Sequence, residues 1–338
     1  MAWGAGCCVE SQSDERERAF ARSGSSLDRH AVIRAPSHSP EAASSDSVCK
    51  PTTPASGQTT MAVDAGHEVF SSPALRLGVF RCPVTRPDFE TAGCIDTYHV
   101  CFPRSAVWLE YEDQPRFVAD ASRATLYNPW QPFRRAPISP EGDVTDWMAP
   151  SDALARDIVT HFSAADAEAQ AAFRFRTSAV SQTTYLAQRA LFNDIEAGLE
   201  DRLAIEERAI AIIGSVIGSA YTSSRRATSP RPRRQQLVES AREAILLSLF
   251  DNLGVTEIAA QLGVSVFHLC RVFRATTGLT LHAYRRDMRL RVALDLIPSR
   301  RGQLSSLALQ VGFNSHAHFT AAFRKAFGVT PSIASAIT

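Results

Sequence analysis

Two groups of side chains near the C-terminal end carry the types that recognise a polyanion. The first is Phe267, His268, Cys270, Arg271 and Arg274; the second is His316, Ala317, His318, Thr320 and Arg324. An arginine guanidinium is a planar fork that grips a phosphate or the edge of a guanine through two parallel bonds. In each group the apolar neighbours repeat at i, i+3 and i+4: Leu269, Val272 and Phe273 in one, Phe319, Ala322 and Phe323 in the other. That period turns the named side chains away from an inward face and toward solvent. A third set, Cys94, His99 and Cys101, is close enough in sequence to suggest zinc, but three ligands at this spacing are read first as buried structural residues.

The elements that present the two groups are copies of one another. Ala259 and Gly263 recur as Ala308 and Gly312 at an offset of 49 residues, and Leu269, Phe273, Arg274 and Gly278 recur as Phe319, Phe323, Arg324 and Gly328 at an offset of 50. One inserted residue at Asn314 accounts for the change. Such self-similarity means two like supersecondary units side by side. In each, a short helix with a small residue at a close crossing ends at a glycine, as a left-handed position after a helix requires. Ser265 and Ser315 then stand where an N-cap opens the next helix. This is a helix-turn-helix, whose second helix can enter a major groove. Between the units, Leu281–Ile297 reads as a helix with Tyr284, Met288, Val292 and Leu296 on its inward stripe and Arg285, Arg286 and Arg289 turned away. Its length of about 25 Å would hold two recognition helices roughly one turn of DNA apart, about 34 Å.

These pieces resemble the DNA-binding domain of the AraC/XylS family of bacterial transcription regulators. The match runs through Ile258-Ala259, Leu269, Arg271, Phe273-Arg274 and Thr277-Gly278, then Tyr284-Arg285, Arg289-Leu290-Arg291, Ala293 and Leu296. It continues in Gly312-Phe313, His318-Phe319, Phe323-Arg324 and Phe327-Gly328-Val329-Thr330-Pro331. The resemblance implies that Phe267, Cys270 and Arg271 face bases, that Arg274 lies nearer phosphate, and that His316, Ala317, His318, Thr320 and Arg324 form the equivalent face. Two positions depart from the pattern: Ala321, where members often carry a polar or basic residue, and Ala334-Ser335, where they usually end in Tyr-Arg. The second recognition helix is therefore expected to contribute less base specificity. The resemblance also implies double-stranded DNA and RNA polymerase as partners, a homodimer, and a cupin-like sensory domain ahead of the DNA-binding half. It leaves the effector, and the choice between activation and repression, open.

Taken in order, the chain of 338 residues with 45% hydrophobic content is long enough for two domains. Its net charge of +1 hides a segregation: from Thr222 onward sixteen Arg/Lys face six Asp/Glu, and the preceding part carries a net of −9. Residues 1–60, rich in Ser, Ala, Pro and Arg, read as a disordered extension, with Met61 an alternative start. Seven cysteines without framework spacing suit a reduced, cytoplasmic protein, and no stretch is long and apolar enough for a membrane helix or signal peptide. Residues 61–150 alternate in short runs, as Thr97–Phe102, Val107–Tyr111, Arg116–Val118 and Ala124–Tyr127, the pattern of an antiparallel sheet or barrel. Residues 151–221 turn helical, and the broad apolar face of Ile205, Ala209, Ile212, Ile213, Val216 and Ile217 needs cover, from the barrel or from a second copy of the chain; the segment is expected to be the helical dimerisation region. Residues 222–234 read as a hydrophilic linker, and 235–338 as the DNA-binding domain. The expected fold class is α+β: an N-terminal antiparallel β (cupin-like) domain with helices, then an all-α domain of two helix-turn-helix units joined by a linker helix.

An enzyme of the cupin type is the competing class, and the residues do not support it. The histidines near the sheet, His67 and His99, with His161 beyond, do not make a metal triad, and neither a nucleophile–base constellation nor a phosphate loop is present. No cofactor or metal is expected. Trp108, Tyr111, Tyr127, Trp130 and Trp147 could line a ligand pocket but read first as core. A regulator without any ligand, whose β domain serves only to dimerise or to meet a protein partner, stays open beside the ligand-controlled one.

Overall fold

A computed structural model of the chain describes residues 66–111, 114–199, 201–226, 232–251 and 253–337. The expected N-terminal extension and the Met61 start lie outside the described residues. Nine strands come first in two antiparallel sheets: β1 (Gly66–Ser71), β2 (Leu75–Cys82), β3 (His99–Pro103), β4 (Val107–Tyr111), β5 (Phe117–Ala119), β6 (Arg123–Tyr127), β7 (Phe133–Pro137), β8 (Asp143–Pro150) and, after two helices, β9 (Thr177–Ala179). The larger sheet runs β1-β2-β8-β3-β6-β9 and the smaller β5-β4-β7. Alternate residues of the central strands feed two cores, as a period of two demands. Val100, Phe102, Ala124 and Leu126 pack under the helices, whereas Cys101 and Tyr127 point between the sheets, against Val107, Leu109, Tyr111 and Phe117. Strand β8 was not evident from sequence, because Asp143 and Asp146 interrupt its apolar pattern. Both are buried, Asp143 beside Arg135 and Asp146 beside Arg189.

Four helices cover the larger sheet: α1 (Asp152–Thr160), α2 (Ala164–Glu168), α3 (Gln182–Glu196) and α4 (Arg202–Arg226). The first three open on serine caps, with the hydroxyls of Ser151, Ser163 and Ser181 accepting from backbone amides. The face of α4 that needed cover is covered by its own chain. Ile205, Ala209, Ile212, Ile213, Val216 and Ile217 are all buried in the core that holds Leu75, Met148 and Phe192, so this face is not free for a second copy. The stretch 222–234 expected to be a linker is helical at both ends, since α4 reaches Arg226 and α5 (Pro232–Leu247) opens on a proline, whose missing amide costs nothing in a first turn.

The remaining helices are α6 (Val255–Gln261), α7 (Val266–Thr277), α8 (Leu281–Leu296), α9 (Leu304–Gln310), α10 (His316–Phe327) and α11 (Pro331–Ile337), with a 3-10 turn at Pro298–Arg300 before α9. The pairs α6–α7 and α9–α10 are the two helix-turn-helix units. Their turns pivot on Gly263 and Gly312, at φ of +64° and +81°. Helix α8 is buried well beyond the expected stripe: Leu290, Arg291, Ala293 and Leu294 are buried along with Tyr284 and Met288, whereas Val292 and Leu296 are only partly so. Arg289 is not turned away into solvent. Its guanidinium donates to the carbonyls of Leu249 (2.7 Å), Asp251 (3.2 Å) and Gly312 (2.8 Å), tying the end of α5 to the second turn.

The helical half docks on the β domain through buried charge as well as apolar contact. Asp120, at the corner between β5 and β6 and 1% exposed, accepts from Arg242 of α5 (3.0 Å) and from the Tyr284 hydroxyl of α8 (2.8 Å). Burial alone would push this carboxyl up; Arg242, Arg123 and the Ser122 hydroxyl and amide outweigh it and hold the group below its ordinary value. Glu239 accepts from the Val118 amide (3.0 Å) and from Arg123 (3.3 Å), and Trp108 donates to Glu243 (2.7 Å).

Two outcomes are expected in urea titrations of purified variants. Ile212→Ala should lower stability by about 2–5 kcal/mol, as a core cavity does; loss of less than about 0.5 kcal/mol would place the side chain on a free surface. Gly263→Ala should cost about 1–2 kcal/mol for its left-handed backbone, since nothing lies within 4 Å of an added Cβ. Gly312→Ala should cost distinctly more, because the new Cβ would stand 2.6 Å from Arg289 Cζ and displace a guanidinium held by three carbonyls. Equal losses at the two glycines would refute the tie.

Candidate nucleic-acid interface

The two second helices, α7 and α10, are built alike. Ser265 Oγ accepts from the His268 amide and Ser315 Oγ from the His318 amide, each at 3.2 Å, so each helix starts at a fixed point just after its glycine turn. Each ends at a left-handed glycine, Gly278 or Gly328. Leu269, Val272 and Phe273 anchor α7, and Phe319, Phe323 and Phe327 anchor α10. This burial orients the opposite faces.

On α7, Phe267 is 76% exposed, Cys270, Arg271 and Arg274 are exposed, and His268 is half-buried. Cys270 and Arg271 stand three and four residues after Phe267, and Arg274 four and three after them, so the four share a face. On α10, His316, Ala317, His318 and Arg324 are exposed and Thr320 is half-buried. His316, Ala317, Thr320 and Arg324 line one open depression together with Ala321, Lys325 and Thr330. The sequence reading missed Lys325 and Thr330; the signal for the lysine was its place in the last turn beside Arg324. His318 stands apart from this depression, its ring edge-on to Phe313 at 5.4 Å between centroids.

The electrostatics of these two faces are one-sided. Neither α7 nor α10 contains an aspartate or glutamate. Among the described residues Arg271, Arg274 and Arg324 enter no ion pair, whereas three of the four arginines of α8 are engaged: Arg286 by Asp287 (2.9 Å), Arg289 by three carbonyls and Arg291 by the carbonyls of Ala121 and Val180. Uncompensated guanidinium groups on two exposed helix faces are suited to phosphate and base edges.

The residues considered for metal and ligand lie elsewhere. Cys101 is buried between the sheets, where burial pushes its thiol up. His99 packs against the Trp147 ring at 5.2 Å, and burial pushes it down to about 4. Among the described residues no group of three or more potential ligands is assembled for a metal ion. Trp108, Tyr111 and Tyr127 are buried, Trp147 is half-buried, and Trp130 is 46% exposed.

A family model described as a helix-turn-helix domain matches residues 258–334. The probable transcription factor PqrA of Proteus vulgaris is 35% identical over 82 residues, covering 24% of this chain and 67% of that protein. The right origin-binding protein of Escherichia coli is 36% identical over 81 residues, 24% of this chain and 28% of that one. The virulence regulon transcriptional activator VirF of Yersinia enterocolitica is 25% identical over 133 residues, 39% and 46% respectively. The chain thus spans about two thirds of the first relative and less than half of the other two. Among solved structures, ToxT from Vibrio cholerae covers 79% of this chain and 98% of its own at 14% identity and a TM-score of 0.30. An AraC-type regulator from Chromobacterium violaceum covers 31% and 95% at 26% identity and a TM-score of 0.30. With its paired helix-turn-helix units and 35% identity to PqrA over 67% of that protein, the chain belongs to the AraC-type family of DNA-binding transcription regulators.

Proposed function

We propose that this regulator lays α7 and α10 in two successive major grooves on one face of DNA, with the α7 face reading bases and the α10 face contributing mainly affinity. The observation that carries the reading is the pair of acid-free, exposed helix faces, each aimed by its own serine cap and buried apolar stripe. In this reading Phe267, Cys270 and Arg271 meet base edges and Arg274 meets phosphate. On α10, His316, Ala317, His318 and Thr320 meet the groove and Arg324 meets phosphate. The protein is a regulator and not an enzyme, and it works in the cytoplasm, where its DNA is. Among the described residues no helix is long and apolar enough to cross a membrane.

RNA polymerase, a second copy of the chain and a small-molecule effector at the β domain are the partners this reading assigns. The Yersinia relative is named as an activator, and activation is the mode proposed here. A homodimer would have to use a surface other than the Ile205–Ile217 face, which the chain covers itself. One observation favours a second reading of the β domain, as a shell without a small ligand. Tyr111, Tyr127 and Phe133 stack edge-on within the space between the sheets, at 5.6 and 5.0 Å between successive centroids.

A binding selection on randomised duplexes separates the roles of the two faces. Arg271→Ala should relax preference at one or two positions of the first half-site, a loss of about 1–3 kcal/mol of discrimination. Arg324→Ala should weaken binding to all sequences alike and flatten its salt dependence, as loss of a phosphate contact does. Ala321→Arg should raise affinity for some second half-sites and not others. An Arg271→Ala protein with unchanged base preference, or equal information in both half-sites, would reject this assignment.

A further inference from the structure

The two helix-turn-helix units are attached to the β domain by different physics. The buried side chains of the second unit, Phe319 and Phe323 among them, are continuous with the apolar core that holds Met148 and Ile213. The first unit has an apolar core of its own, around Ile245, Leu269, Phe273 and Tyr284. It meets the corner of the β domain through the charged groups of Asp120, Arg123, Glu239 and Arg242. Replacing a buried ion pair by apolar groups of similar volume is often neutral or stabilising, so net stability is a poor account of this cluster. Direction is what it supplies. Both oxygens of Asp120 are engaged, Oδ1 by the Ser122 amide (2.7 Å) and hydroxyl, Oδ2 by Arg242 and Tyr284.

We infer that this charge cluster is a positioning device that sets which spacing of two half-sites the chain accepts on DNA. The inference rests on the reading of α7 and α10 as two heads in successive grooves. Helix α8 is shared by both units: Tyr284 and Met288 belong to the core of the first, Leu290, Ala293 and Leu294 to that of the second. Linked through α8 and Arg289 alone, the first head could lean about the second. The corner at residues 120–123 grips α5 through Glu239 and Arg242 and α8 through Tyr284, while the second head is fused to the same β domain. Both heads are thereby referred to one rigid body. Changing the spacer by one base pair moves a half-site by about 3.4 Å and turns it by about 35°, which a rigid pair of heads cannot follow.

The test measures affinity of the full chain for duplexes carrying its selected half-sites with spacers shortened or lengthened by one and two base pairs. The Arg123→Gln/Glu239→Gln double variant removes one ion pair without leaving a lone buried charge. The wild-type chain should lose about tenfold or more in affinity per base pair of altered spacing, the scale of a mismatched site. The double variant should lose less than about threefold, with base preference inside each half-site unchanged, and Arg242→Lys, which keeps the charge on Asp120, should stay close to wild type. A folded double variant with the wild-type spacing profile overturns the inference. Should it fail to fold, Tyr284→Phe, which removes a single hydroxyl from Asp120, takes its place, and an unchanged profile there overturns the inference equally. A wild-type chain that selects only one half-site overturns the two-groove reading and this inference with it; a bipartite wild type whose variants keep its spacing overturns this inference alone.

Discussion

Asp120 occupies a corner where a carboxylate would cost several kcal/mol if it stood alone. It does not stand alone because three elements converge on it: α5 brings Arg242, α8 brings Tyr284, and its own turn brings the Ser122 amide and hydroxyl. The donors from the two helices are themselves buried, Tyr284 completely and Arg242 to 8% exposure, so each depends on the carboxylate as much as the carboxylate depends on it. This mutual dependence makes the docking of the helical half specific. An apolar contact at the corner would tolerate several orientations of α5; a carboxylate with two oxygens and four directed donors tolerates one. Arg291 adds a second directed grip nearby, donating to the carbonyls of Ala121 and Val180.

A comparable cluster stands on the other side of the docking surface. Asp146 of β8, fully buried, is met by Arg189 and Gln188 of α3, and Arg189 also reaches Asp295 of α8 at 2.9 Å. Tyr185 donates to the same Asp295 at 3.1 Å. Helix α8 is thus held by charge near both ends, Tyr284 at one and Asp295 at the other, and by apolar burial between. For a helix whose two ends lead to the two DNA-facing units, this fixes the frame in which both are presented. In the proposed reading the β domain is a structural part of the DNA-reading apparatus.

The faces of α7 and α10 proposed to meet DNA show the reverse arrangement. On α7 and α10 the arginines lack protein acceptors among the described residues, and the helices lack acids altogether. Arg289 and Arg291 are satisfied internally where they position an element, and the unpaired guanidinium groups of α7 and α10 are the ones proposed to take their acceptors from DNA. Arginine serves both purposes because its charge persists under burial and its planar fork fixes the direction of its partners. The difference between Arg289 and Arg271 is one of surroundings, not of chemistry.

The local features were determined by sequence alone. The duplicated turns, the left-handed glycines at Gly263 and Gly312, the caps at Ser265 and Ser315 and the exposed faces of α7 and α10 all depend on residues within one or two helical turns of each other, and short-range rules suffice for them. The edges of β3 to β6 were legible for the same reason, through alternation. The tertiary structure alone decided the rest. The period of α4 showed that its apolar face must be covered, but not that the chain's own core would do it, since burial is non-directional and carries no mark of its partner. Arg289 looked like a surface charge because the carbonyls of Leu249 and Gly312 that accept from it lie 40 and 23 positions away in the chain. Asp143 and Asp146 hid a central strand because an inward carboxylate breaks the apolar pattern, and only the approach of Arg135 and Arg189 makes such burial tolerable. Charges that must be paired across long sequence separations are invisible to any local rule, and in this protein they join α5 and α8 to the β domain alongside the shared apolar core.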